Sequence, residues 1–367
     1  MTAPSAVWPS LPQSLKSGVS GRTGDRLFVG LGTGGAALHA LDLPEPARGW
    51  VRCAPFPGTP REGAASAVVG DRLYVFSGTG IAGSGPEGGN AWPSVLTDVH
   101  VYDPVADCWT RLDTEAPVGL LGASAHALDD DRIALFGGYN KGIFDAYLRD
   151  LNRVDKTAEP ERHQALVDGY MGMKPADYRW NGRVLIYRIS ANSWSDAGEN
   201  PWATTGSALV AEAGTVTLVN GEVKPGLRTA DVRQVTFANG AAHWSRCPPL
   251  PAPKGEVRQE GLAGAFAGFS NGVFLVAGGV NFPGAWSNAE AGRWYSHKGL
   301  TKTWRRDIYA LVGGVWQIAG QLPHGLAYGA SFTTDDGVLV VGGEGGDMAA
   351  RAEVHLIRWD GTRAVVA

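Results

Sequence analysis

Apolar runs of five to seven residues recur along the chain with glycines between them, the pattern of many short strands joined by tight turns. One repeating unit is a small-residue strand, a short turn, and an apolar strand ending in Gly. It reads Gly63-Ala-Ala-Ser-Ala-Val-Val then Asp71-Arg-Leu-Tyr-Val-Phe-Ser-Gly, and again Gly122-Ala-Ser-Ala-His-Ala-Leu then Asp131-Arg-Ile-Ala-Leu-Phe-Gly-Gly. Further copies start at Gly206, Gly264 and Gly329, and a degenerate first copy runs from Ser17. A second unit alternates with it: a strand such as Asp98-Val-His-Val-Tyr-Asp, then one opening at Trp50, Trp109, Trp194, Trp244 or Trp316 and followed by Pro.

Six copies of the first unit against five of the Trp strand predict an all-β, six-bladed β-propeller closed by N- and C-terminal strands. The missing fourth strand is expected at Val7-Trp-Pro-Ser-Leu-Pro, with Val354-His-Leu-Ile-Arg and the last residues completing blade six. The repeat resembles the kelch repeat, with its paired glycines and later aromatic. Residues 1–367 are read as a single domain with two segments outside the repeat. The insertion 141–181 interrupts blade three with one or two short helices, and 282–304 interrupts blade five with Trp286, Trp294, Tyr295, His297 and Trp304. Long insertions of this kind are more often functional than connective.

Antiparallel order within a blade puts loops entering a first strand and loops leaving a second strand on one face. Both insertions leave second strands, so a binding site is expected at the channel mouth there. Arg61, Asn140, Lys141, Glu222, Lys224, Arg228, Asn281 and Glu344 map to those loops, with Leu121, Phe144, Trp202 and Tyr328 as candidate walls. Glu222, Lys224 and Arg228 fall within seven residues of one another. Arg228 is open to pairing with Glu222 or to gripping a substrate carboxylate through its planar fork. Tyr295 and His297 belong either to a lid over the site or to a packed insertion.

Charge narrows the partners. The formal net charge is −4 and no segment concentrates Lys or Arg, which argues against nucleic acid. No apolar run approaches the roughly 20 residues of a membrane helix. The opening residues carry neither a basic start nor an apolar core, so no signal peptide is expected. The chain as given is therefore expected in the cytoplasm, or in the periplasm where a signal has been removed or is encoded upstream. Cys53, Cys108 and Cys247 are scattered without metal-ligand spacing and read as small buried or half-buried residues of a reduced protein.

Several segments together resemble the bacterial N-acetylneuraminate epimerase (sialic acid mutarotase) family over essentially the whole chain. They are Lys16-Ser-Gly, Phe56-Pro-Gly-Thr-Pro-Arg61, Asn140 to Asn152, Asn220-Gly-Glu-Val-Lys-Pro-Gly-Leu-Arg-Thr229, Phe266-Ala-Gly-Phe-Ser-Asn271 and Tyr295-Ser-His-Lys-Gly-Leu300. The resemblance implies interconversion of the α and β anomers of N-acetylneuraminate, with the family's key Glu and Arg at Glu222 and Arg228. Arg61, Asn140, Lys224, Tyr295 and His297 are then expected to bind substrate. The implied chemistry, proton removal from the anomeric hydroxyl and protonation of the ring oxygen, needs no metal and no organic cofactor. Family members often carry a secretion signal, of which the opening residues given show no sign, and Ala285-Trp286-Ser287 departs from the family pattern. Two other readings stand beside it: a non-catalytic kelch propeller binding a protein or acidic sugar, and a copper radical oxidase. The oxidase would need a Tyr–Cys crosslink and two His ligands, and the cysteines lie on fourth strands away from the expected mouth.

Overall fold

The computed structural model describes residues 8–82 and 91–367. Six four-stranded antiparallel sheets follow one another along the chain, spanning 19–52, 65–115, 124–199, 208–247, 266–321 and 330–366. In each, the second strand is the most deeply buried, because neighbouring blades cover both of its faces. Leu27-Phe28-Val29, Val75-Phe76, Ile133-Ala134-Leu135 and Leu339-Val340 are essentially inaccessible. Each large side chain so placed contributes about 1.5–3 kcal/mol of apolar burial. That is why uninterrupted apolar runs, rather than alternating ones, mark these strands.

The tryptophans of the fourth strands stitch each blade to the one before it. Trp109 Nε1 donates to the Ala54 carbonyl, Trp194 to Thr114 Oγ1, Trp244 to the Glu199 carbonyl and Trp316 to the Pro248 carbonyl, all at 2.9–3.1 Å. A buried indole needs an acceptor for its N–H, and the preceding fourth strand supplies one. Trp50 finds its acceptor on Pro9, at 2.9 Å. Here the N-terminal segment takes the role that a preceding fourth strand plays elsewhere.

The sixth blade corrects one expectation. All four of its strands come from the C-terminal stretch: Ala330–Thr334, Gly337–Glu344, Ala350–Trp359 and Ala364–Val366. The N-terminal segment adds an isolated bridge, Leu15 to Arg351, and packs Trp8 and Leu11 against the blade, but forms no strand there. Val7, with which that strand was expected to begin, lies outside the described residues. Ala364–Val366 pairs with Ile357–Trp359 alone, and the N-terminal segment lies along the earlier part of the same strand. There the N–H groups of Leu11 and Leu15 donate to the Ala352 and Arg351 carbonyls at 2.7 and 2.8 Å; the contact is too irregular to make a strand.

Around the channel, one backbone hydrogen bond per blade links the starts of the first strands into a ring. The N–H of Gly63 donates to the Ser17 carbonyl, Gly122 to Gly63, Gly206 to Gly122, Gly264 to Gly206, Tyr328 to Gly264 and Ser17 to Tyr328, each at 2.8 Å. All six residues have φ between 53° and 73°. This left-handed conformation suits Gly and is costly for other residues. It explains why the repeat begins with Gly in four of the blades, and it makes Ser17 and Tyr328 the two strained exceptions.

The insertion 141–181 contains α1 (Lys141–Asn152), α2 (Pro160–Met171) and a short turn of 3-10 helix, Pro175–Tyr178. Aromatic packing holds it together, with Tyr147 stacked on Tyr170 at 3.9 Å between ring centroids. The insertion 282–304 contains α3 (Ala285–Glu290). Among the cysteines, Cys53 is buried and Cys247 half-buried, whereas Cys108 is exposed, against expectation. Its strand, Cys108–Glu115, is the outermost of its blade and alternates exposed and half-buried positions. Among the described residues no helix is long and apolar enough to cross a membrane.

Candidate functional site

The hydrogen-bonded ring forms the floor of a cavity of about 360 Å³, within the size range of small-molecule sites. Ser17, Gly63, Gly122, Gly206, Gly264 and Tyr328 contribute from the ring itself, and Tyr139, Phe144 and Glu222 from the loops above it. Phe144 belongs to α1, so the first insertion does reach over the mouth, on the face expected from strand order.

Glu222 is held there by two short strands, Glu222–Lys224 and Leu227–Arg228, which form a hairpin. Pro225-Gly226 makes the tip: Pro presets φ and Gly226 adopts φ 81°, as a tight turn requires. Reciprocal backbone hydrogen bonds between Thr205 and Glu222, at 2.8 and 3.1 Å, pin the base of the hairpin to the loop entering blade four. Cross-strand pairing sets Glu222 opposite Arg228, and Arg228 Nη2 reaches Glu222 Oε1 at 2.5 Å.

Arg228 stands behind the carboxylate, not on the cavity wall. It is 4% exposed, its guanidinium lies 4.9 Å from the Phe282 ring centroid, and Trp286 Nε1 donates to its carbonyl at 2.6 Å. Its Nε and Nη1 are buried without hydrogen-bond partners. Unsatisfied donors on a buried cation are costly.

Two phenols complete the group. Tyr139 and Tyr328 line the cavity, and burial followed by the Glu222 charge pushes the pKa of each well above its ordinary value. For Tyr328 the nearby Arg228 charge works the other way, without reversing the shift. Both phenols are therefore neutral O–H donors at physiological pH. Tyr139 escaped the sequence reading and Tyr328 entered it only as a wall. The available signal was position: Tyr139 follows Gly137-Gly138 just as Glu222 follows Asn220-Gly221.

The other expected residues lie elsewhere. Arg61 is 1% exposed and buried in blade two, bidentate to Asp98 at 2.6 and 2.8 Å, with its remaining donors on the Thr59 and Ser77 carbonyls. Asn140 caps α1, accepting from Ile143 N–H at 3.0 Å and donating to the Arg179 carbonyl at 3.2 Å. Lys224 is fully buried and donates to the carbonyls of Met171 (2.6 Å) and Trp294 (2.5 Å). It thus ties the end of α2 to the second insertion, and burial lowers its pKa to about 8. Tyr295 packs edge-on against His297, and His297 sits on the hairpin tip: a Cβ on Gly226 would come 1.7 Å from its Nδ1. None of these five lines the cavity. Lys224, Tyr295 and His297 build the hairpin's surroundings, Arg61 and Asn140 serve blade two and α1, and Glu222, Arg228 and the two tyrosines converge.

His297 is held neutral, its pKa pushed down to about 4 by burial, with the Arg228 and Lys224 charges adding to the effect. His100 is lowered to about 4 as well, through burial that outweighs the opposing pull of Asp98. An unfolded histidine titrates near 6.5. Between about pH 6.5 and 4 the unfolded chain therefore binds more protons than the folded one, and stability declines as pH falls through that window. Thermal unfolding followed by circular dichroism should show a midpoint that drops across this range, with a shallower drop in His297→Gln. An identical slope in the variant would mean that His297 is not shifted in the folded protein.

The N-acetylneuraminate epimerase family model matches residues 8–366. The N-acetylneuraminate epimerase of Brucella melitensis is 49% identical over 356 residues, covering 96% of this chain and 91% of the relative. That of Vibrio cholerae serotype O1 is 44% identical over 360 residues, covering 98% and 92%. Among solved structures, that of YjhT superposes with a TM-score of 0.90 at 35% identity, over 99% of this chain and all of the other. This chain belongs to the N-acetylneuraminate epimerase family.

Proposed function

We propose that this protein interconverts the α and β anomers of N-acetylneuraminate by acid–base-assisted opening and reclosure of the sugar ring. The observation that carries the reading is a carboxylate, Glu222, set into the wall of the channel-mouth cavity and backed by a buried arginine. It lies within Asn220–Thr229, one of the segments that resemble the family.

In this mechanism Glu222 takes the proton of the anomeric hydroxyl as the bond from the anomeric carbon to the ring oxygen breaks. The ring oxygen is protonated, and the open form is a ketone. Rotation about the bond next to that ketone presents its other face, and reclosure returns both protons, so the protein ends unchanged. Tyr139 and Tyr328 are the neutral donors on the cavity wall, and they serve the ring oxygen. Arg228 holds the Glu222 carboxylate in place, and its positive charge draws the substrate's own carboxylate towards that wall. Lys224 and His297 act at one remove, by fixing the hairpin between the two insertions.

The test is proton NMR of N-acetylneuraminate freshly released as the α anomer by a sialidase. Added protein should speed the approach to the anomeric equilibrium well beyond the buffer rate. No acceleration from a folded sample would leave the propeller as a binding module for a protein or acidic sugar.

A further inference from the structure

We propose that His324, Glu353 and His355 form a binding site for a divalent transition metal, best matched to Zn²⁺, on the flank of blade six. Their ligand atoms lie within 4.8 Å of one another, and none of the three lines the channel-mouth cavity. The site is separate from the proposed reaction.

Strand geometry creates the cluster. Glu353 and His355 are two apart on the strand Ala350–Trp359, so they project from the same face. His324 arrives from the connection between blades five and six. Glu353 Oε1 lies 2.6 Å from His324 Nε2 and 3.8 Å from His355 Nε2. Ligands around tetrahedral Zn²⁺, at bonds near 2.0–2.1 Å, stand about 3.4 Å apart. The two observed separations straddle that value, so small side-chain rotations bring three donors to one centre.

Two further features favour an ion over a plain polar cluster. His355 Nε2 is a buried atom with no hydrogen bond, and Glu353 Oε1 has the 2.6 Å contact with His324 Nε2 as its one close polar neighbour, an under-satisfied arrangement that folding normally avoids. His324 Nδ1 lies 3.3 Å from the Gly325 carbonyl. A proton on Nδ1 directed at that carbonyl leaves the Nε2 lone pair for a metal, the usual outer support of a ligating histidine. Two imidazoles and a carboxylate match the donor set of open zinc sites, with a fourth position for water. His324 is 40% exposed and also lines a groove of about 480 Å³, which provides a route in for the ion.

Isothermal titration of the full-length, metal-free protein with ZnCl₂, competed by a chromophoric chelator, tests this. The expected result is one Zn²⁺ per chain, bound at least about tenfold more weakly by His355→Ala and by Glu353→Gln. Zinc should also raise the thermal midpoint of the wild type and not of the variants. Both variants should unfold at the wild-type temperature in metal-free buffer and should keep anomer conversion, which separates loss of a ligand from loss of fold. A wild type that binds Zn²⁺ no better than the variants would overturn the proposal.

Discussion

Replacing Glu222 by Gln is expected to slow protein-catalysed anomer conversion by about 10²–10⁴-fold, the usual contribution of a positioned acid–base group. The substitution keeps the shape of the side chain and an oxygen acceptor for Arg228, but removes the ability to take a proton. Substrate affinity should change little, because the phenols and the cavity floor are untouched. Stability should fall, since the Arg228 charge loses its partner in a buried setting. Breaking such a pair costs up to about 3–5 kcal/mol, and the retained acceptor keeps the cost towards the low end. NMR anomer-exchange rates and thermal melts on the same samples read both effects. A rate within tenfold of wild type in a stably folded variant would make Glu222 a structural partner of Arg228 and would place the base elsewhere.

Much of the fold was legible because its determinants are local and repeated. The glycine that opens a first strand is dictated by a left-handed backbone position, and the apolar run after it by burial on both faces of the second strand. The tryptophan of the fourth strand marks a hydrogen bond to the neighbouring blade. The origin of the last blade's fourth strand was not legible in this way. Ala364–Val366 is only three residues long and carries no tryptophan, whereas Trp8-Pro9 resembles the other copies because it performs their contact, accepting from Trp50. The local signal was correct about the contact and silent about the strand.

The site divides along the same line. Strand order placed Glu222 and Arg228 at the mouth, and six residues of separation with Pro-Gly between them is a hairpin signal that brings the two side by side. Loop assignment does not say where a side chain points. Glu222 and Lys224 would share a face in a regular strand, but the pairing register shifts between them, and Lys224 turns away to join the two insertions. Arg61 sits in the expected loop, yet Asp98 on the third strand of its own blade takes its guanidinium inward. The backbone position of Glu222, bridged to the preceding loop, recurs at Glu344, which is bridged to Ala327. There Lys16 and Lys302 occupy the carboxylate at 2.5 and 2.6 Å. The same residue at the same place in the repeat is thus neutralised in blade six and faces the cavity in blade four.

Arg228→Lys separates the two roles that the sequence left open for this arginine. A lysine keeps the positive charge but loses the planar fork and the flat contact with Phe282. If Arg228 acts by holding Glu222, the carboxylate loosens and the turnover number falls by about 10²-fold, the scale on which small misplacements act, while KM stays within a few-fold of wild type. If it grips the substrate's carboxylate directly, KM rises and the turnover number is largely kept, because the binding lost is common to ground and transition states. The geometry favours the first outcome. Arg228 Nη2 is already committed to Glu222, and its Nε and Nη1 are closed off from the cavity by burial.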